Sequence, residues 1–307
     1  FKLANPAAVQ GLTLAAGASA TVEVLFDRAK YTAPTTNIDG TSTVFEGKLK
    51  LITNDADSPV AEVDLAGFWQ NKWEFGQEPN VNEIWRIFGF GNRIEGLSLL
   101  GGGEKSTLST RDVYASTDAT EVLSPYWKIA DGVTSARITH IAAFHGPGGA
   151  AMGIHNPDTK AGTVNFWTHQ TADNQRFLPN MTNETTFATK LFTRADVPDG
   201  WKGNDVFGIS VDGLSSDPRL NPAGGVAVPG AQQGHTVKIF QAVDAAGSAI
   251  PNVFLGMMDY TGINYDYNDN LFVIEGVAPV GVGPSTPLPG TMSAAARLAA
   301  DAFVFQP

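Results

Sequence analysis

Short runs in which apolar and polar residues alternate recur along most of the chain, each closed by a cluster of turn-forming residues. Residues 21–26 (Thr-Val-Glu-Val-Leu-Phe), 45–53 and 61–66 are the first three. Residues 136–145, 162–169, 205–212, 235–241, 252–258 and 270–275 repeat the pattern further on. A side-chain period of two with β-branched and aromatic residues is the signature of a half-buried strand. The breaks between the runs (Gly17-Ala-Ser, residues 37–40, residues 54–59) carry the Gly, Asn, Asp and Pro that turns require. This pattern predicts an all-β chain. One exception stands out: Ile84, Ile87 and Phe88 share one face of a short helix over 82–88, which Pro79-Asn80 opens and Gly89 and Gly91 close.

The runs divide the 307 residues into four stretches. Residues 1–68 read as part of an immunoglobulin-like sandwich. Residues 69–127 form a Trp-rich connector with the short helix, its tryptophans (Trp69, Trp73, Trp85) plugging the junction between domains or, alternatively, presenting a sugar-stacking surface. Residues 128–279 hold six or more strands and read as an antiparallel β-sandwich of jelly-roll type. Residues 280–307 begin with Pro and Gly at a density that denies regular structure and read as a linker and tail. Because the chain opens at Phe1 inside a strand-rich region, it is expected to be a segment of a longer polypeptide with neighbouring domains.

Composition narrows the function classes. There are 31 acidic against 20 basic residues, a formal net charge of −11, and no cysteine. Disulfide scaffolds and thiolate metal sites are excluded. Phosphate-backbone binding wants a basic patch, so no nucleic-acid partner is expected. No apolar run reaches the roughly 18 residues of a membrane helix, so no membrane insertion is expected.

The densest polar cluster is residues 259–270, Asp-Tyr-Thr-Gly-Ile-Asn-Tyr-Asp-Tyr-Asn-Asp-Asn. Its donors are all hard oxygens, in a Gly-containing loop ahead of an apolar strand, which suits calcium and its flexible shell of about six to eight oxygens. It is not an EF-hand: Leu271 stands where that loop needs Gly, and Val277 where it needs Glu. The alternative is a strand–turn–strand whose Asn and Asp side chains cap turns. Tyr260, Tyr265, Tyr267, Trp167 and Trp201 offer flat faces for stacking on a sugar ring.

Two resemblances add to this. Residues 14–26, 47–55, Pro59 and 63–67 follow one another as in the second half of a hydin-type (ASH-like) immunoglobulin-like domain, which implies spacing or protein contact. Residues 244–260 and 264–272, with the Asp-Tyr-Asn-Asp core, resemble a C-terminal β module of large secreted bacterial proteins, often found beside malectin-like domains. They are also similar to an uncharacterised bacterial calcium-type domain. Ser215-Ser-Asp-Pro-Arg-Leu-Asn221, Trp69-Gln70, Glu78-Pro79 and Phe88-Gly-Phe90 match further elements of the same module. The resemblance implies Ca2+ held by Asp259, Asp266, Asn268 and Asp269, with Asp217 and Asn221 serving a second metal site or a structural role. Met258 departs from the Glu-Asp pair common in that domain, leaving one carboxylate fewer.

The five histidines show no His-Glu-x-x-His or His-x-His pairing. On one strand His140 and His145, five apart, face opposite sides, so they cannot jointly bind a metal there, and each histidine reads as a surface or hydrogen-bonded one. No Gly-x-Ser-x-Gly elbow is present. The expected function is a non-catalytic extracellular or cell-surface binding module, calcium-stabilised, with a carbohydrate or cell-surface polymer as partner. The alternatives are a structural or adhesive spacer in a filament or surface layer, and a glycoside hydrolase whose carboxylate pair meets only in three dimensions.

Overall fold

The computed structural model describes residues 1–27, 44–70, 78–93, 122, 124, 126–157, 159–169, 175–201, 205–217, 220–222, 236–260 and 267–280. In chain order the elements are β1 (Lys2–Leu3), α1 (Pro6–Val9), β2 (Val24–Leu25), β3 (Val44–Ile52), β4 (Val60–Phe68) and α2 (Val81–Ile87). Then come β5 (Tyr126–Ile129), β6 (Ala136–Ala143), β7 (Ala151–His155), β8 (Val164–Thr168), β9 (Arg176–Phe177) and β10 (Thr189–Phe192). The last are β11 (Val206–Val211), β12 (Leu214–Ser215), β13 (Val237–Val243), β14 (Ala249–Met258), β15 (Asn270–Glu275) and β16 (Val277–Val280). The chain is mostly β, as its alternation predicts.

Two antiparallel sheets face one another. The first runs β10-β6-β15-β14-β13 with β9 beside β6; the second runs β16-β5-β11-β7-β8 with β12 beside β11. Ile138, Phe254, Phe272 and Ile274 from the first meet Trp127, Met152, Phe207 and Ile209 from the second in one buried core. Trp127 packs edge-on against Phe254 at 4.9 Å between ring centres. Burying such side chains is worth about 1.5–3 kcal/mol each before entropy is charged.

The first sheet is buried on its other face as well. Ile141, Phe144, Phe240, Leu255, Met257, Leu271 and Val273 point there and are covered by Val81, Ile84 and Trp85 of α2 together with Phe90. This explains the unbroken apolar run Leu271-Phe-Val-Ile274, which reads as a strand buried on both sides. Helix α2 starts where the Asn80 side chain accepts the Glu83 N–H at 3.0 Å. After it, Asn92 docks on the edge strand β13: its amide donates to the Gln241 carbonyl at 2.8 Å and its oxygen accepts the Val243 N–H at 2.7 Å. Residues 78–93 therefore belong to the body of the sandwich. At the other end of the sequence, β16 continues through Val280, one residue into the stretch expected to be linker; the rest of that stretch lies outside the described residues.

Residues 1–68 contribute two small antiparallel pairs, β1–β2 and β3–β4. Phe1, Phe26 and Phe45 pack in a row with tilted rings, their centres 5.2 and 5.6 Å apart. Phe68, at the end of β4, reaches the sandwich and packs edge-on to Phe144 at 5.1 Å. Glu46 and Arg86 add an ion pair between hairpin and helix. Among the described residues no helix is long and apolar enough to cross a membrane.

Candidate functional site: the polar end of the sandwich

Strand β14 ends at Met258 and β15 begins at Asn270, and the described parts of the loop between them form a buried polar layer. Asp259 and Asp269 cap the two limbs reciprocally. Asp259 Oδ2 accepts the Tyr267 N–H at 3.3 Å, and Asp269 Oδ2 accepts the Tyr260 N–H at 2.8 Å. Asn268 donates to the Pro79 carbonyl at 3.2 Å and to Glu78 Oε2 at 3.4 Å. Gln175 donates to Glu78 and to the Phe144 carbonyl. Glu78, Asp259 and Asn268 are each 1 % exposed. Lys238 is buried beside them, its Nζ 5.0 Å from the centre of the Tyr267 ring.

Three of the four expected calcium ligands, Asp259, Asn268 and Asp269, lie on the two limbs of this loop, and as they stand no three His, Cys, Asp or Glu among the described residues are placed to hold a metal ion; Asp266 lies outside the described residues. The turn-capping role is present in the same carboxylates. A carboxylate has about four lone-pair sites, so capping an N–H and binding a cation are compatible uses of one such group. Glu78 is a further oxygen donor that sequence spacing could not bring here, because it arrives from before α2.

The stacking residues are placed differently from the expectation. Trp167 and Trp201 belong to the core between the sheets, and Tyr267 lies under Lys238. All three are buried and present no open face. Tyr260 is half-buried and donates its hydroxyl to Asp212 Oδ2 at 2.6 Å. Burial first, and then Asp212, push its phenol far above the ordinary tyrosine range. Tyr265 lies outside the described residues.

Asp217 and Asn221 serve the corner after β12. Asn221 Oδ1 accepts the Ser215 N–H at 2.7 Å, and its amide donates to the Ser215 carbonyl at 2.8 Å, a structural use of that side chain. Ser215 also meets His155. The His155 Nδ1–H donates to the Asn156 carbonyl at 2.7 Å, so Nε2 accepts the Ser215 hydroxyl, also at 2.7 Å. The pair resembles a nucleophile and its base, but Ser215 and His155 are each 1 % exposed, and Ser215 Oγ accepts the Asp217 N–H as well. It is a core hydrogen bond.

The histidines correct the parity argument. Between Leu271↔Ala142 and Phe272↔His140 the register shifts, leaving Ile141 as an extra residue, a β-bulge. The bulge reverses the alternation beyond it, so Ile141 and Phe144 point to the helix-covered face. His140 and His145 thereby reach the same side. A second bulge, at Phe166, lies in β8 just before His169. The three rings converge: His140 and His169 are 5.4 Å apart between centres, and His145 and His169 are 4.8 Å apart. The His145 Nδ1–H donates to the Gly146 carbonyl at 2.6 Å, and its Nε2 lies 2.6 Å from His169 Nε2.

His140 is wholly buried, and neither of its ring nitrogens, nor Asn270 Oδ1, makes a hydrogen bond of good geometry, although Asn270 and the Ala142 backbone stand close enough to act on the ring. Burial, then the neighbouring His169 and His145 rings, hold the His140 imidazole well below its ordinary value. Burial lowers His145 likewise. The early sign of this cluster in the sequence was the run Ile141-Ala-Ala143, which breaks alternation inside a strand.

No protein-family model matches the chain, and no curated protein and no solved structure matches it.

Proposed function

We propose that this chain is a non-catalytic module of an extracellular or cell-surface protein, a structural or adhesive spacer whose loop before β15 is braced by calcium. The observation that carries the reading is the reciprocal capping of the loop by Asp259 and Asp269. With the Asn268–Glu78 hydrogen bond, it ties hard oxygen donors of the loop to β14, β15 and the segment before α2. These four residues would hold the ion, and its contribution would be to neutralise buried carboxylates and stiffen the joint. The inward packing of Trp167, Trp201 and Tyr267 favours the spacer over a carbohydrate platform, for which Tyr260 alone of the described candidates keeps an exposed edge.

Thermal melting of the chain with calcium and with a chelator tests the brace. A ligand of the native state raises stability by about 2.7 kcal/mol at a hundredfold excess over its Kd. A rise in melting temperature that magnesium does not reproduce is expected; identical melts with calcium and chelator would sink it. A glycan array separates the two roles: specific retention of a polysaccharide would restore the carbohydrate reading in place of the spacer.

A further inference from the structure

We propose that His140, His145 and His169 form a second cation site, for a borderline transition metal of the zinc class, inside the sandwich and separate from the oxygen donors of the loop. The three imidazoles come from β6, from the turn after it and from the end of β8, so an ion among them would tie the two sheets together. Their donor set is nitrogen, which suits Zn2+, Co2+ or Cu2+ and does not suit calcium.

The hydrogen bonding is already that of ligands. A metal-binding histidine typically donates its other ring N–H to a carbonyl or carboxylate, which fixes the tautomer and aims the lone pair. His145 does this through Gly146, leaving Nε2 as the lone-pair atom, and that atom points at His169. His140 supplies the independent observation. A neutral imidazole carries one N–H and one acceptor, and a buried unsatisfied polar group costs about 1–3 kcal/mol. Neither His140 nitrogen makes a hydrogen bond of good geometry, and neither does Asn270 Oδ1 beside it, the Ala142 backbone and Asn270 being near but misaligned. Such orphaned groups in a core call for an explanation, an ion among them. Asn270 Oδ1, or the Met258 thioether 3.9 Å from the Asn270 amide, would complete four-coordination.

Among the described residues no group of three or more His, Cys, Asp or Glu is placed to hold a metal ion as the side chains stand. One distance would have to change for an ion to enter. His145 Nε2 and His169 Nε2 lie 2.6 Å apart and share a proton. Two ligands at about 2.0–2.1 Å from one tetrahedral ion stand roughly 3.3 Å apart. Loading the site therefore means parting these two rings by less than about 1 Å and moving the shared proton, which sits on His169 Nε2, to His169 Nδ1. No proton is gained or lost by the trio.

The test uses the full chain, stripped with a strong chelator, dialysed and titrated with Zn2+ or Co2+ alone. One equivalent bound, an intense visible Co2+ spectrum of the tetrahedral type and a rise in melting temperature are expected. His140→Gln and His169→Gln are each expected to weaken binding by more than the roughly 10–100-fold that a lost outer-shell partner costs. His155→Gln and Asp269→Asn are expected to leave it unchanged, which separates this site from the calcium brace. Asn270→Asp, which replaces the amide oxygen by a carboxylate, is expected to tighten it, and this gain does not depend on the histidine variants folding. No binding by the wild-type chain, or equal binding by a folded His140→Gln, His169→Gln double variant, would overturn the proposal.

Discussion

Gly256 lies directly beneath the ring of Phe272, its partner across β14 and β15: a Cβ placed on Gly256 would sit 2.1 Å from Phe272 Cζ. Phe272 in turn stands opposite His140 on β6, at the edge of the bulge. The glycine thus seats the ring that separates the apolar core from the histidine end. Gly256→Ala is expected to destabilise the chain by about 1–3 kcal/mol, the usual cost of overpacking. In urea titrations the double variant with Phe272→Leu should recover part of that loss, because the two sites share one space. Additive losses would show that the ring is not the obstacle.

Trp85 anchors α2 on the outer face of the first sheet, edge-on to Phe240 at 5.8 Å and wholly buried. Trp85→Ala is expected to cost about 3–5 kcal/mol. Asn80→Ala, which removes only the cap, should cost about 1 kcal/mol. Both variants should still unfold in a single transition reported alike by tryptophan fluorescence and circular dichroism. Separate transitions would mean that the helix is an appendage rather than part of the sandwich body.

Much of this fold was legible because alternation survives wherever one face is wet and the other dry. The helix over 82–88 was legible from the spacing of Ile84, Ile87 and Phe88 and from its cap, and it forms as α2. Short strands such as β7, with Gly153 in its middle, and β10 carry too few alternating positions to stand out. The histidine trio escaped for a sharper reason. Parity along β6 predicts that His140 and His145 diverge, and one inserted residue at Ile141 reverses it. His169 comes from a strand that no local spacing relates to them. The tryptophans misled because a flat aromatic face serves a core as well as it serves a sugar, and Trp167 and Trp201 pack into the core.

Asp269 separates the capping and cation-holding roles of the loop. Asp269→Asn keeps an oxygen to accept the Tyr260 N–H but removes the charge. It is expected to retain most of the stability measured in chelator and to lose the gain that calcium brings. Asp269→Ala removes the acceptor as well, and should cost about 1.5–3 kcal/mol in chelator, the worth of a hydrogen bond to a charged group. Melts of the three proteins with and without calcium check this. An undiminished calcium gain in Asp269→Asn would remove that carboxylate from the ligand set.

His155 sets a pH dependence whose sign follows from its burial. Desolvation holds its imidazole below the value of 6.5 that it has when exposed, and the Ser215 hydroxyl bonds the neutral ring. Below pH 6.5 the unfolded chain takes up a proton that the folded chain refuses. The stability His155 contributes is therefore whole above that pH, and is lost progressively as pH falls from there toward the folded value. In the presence of chelator, urea midpoints should fall between neutral pH and about pH 5. His155→Gln keeps a hydrogen-bonding side chain that does not titrate, and its midpoints should fall less steeply over the same interval. Parallel slopes for the two proteins would assign the acid sensitivity to other groups and leave His155 a purely structural partner of Ser215.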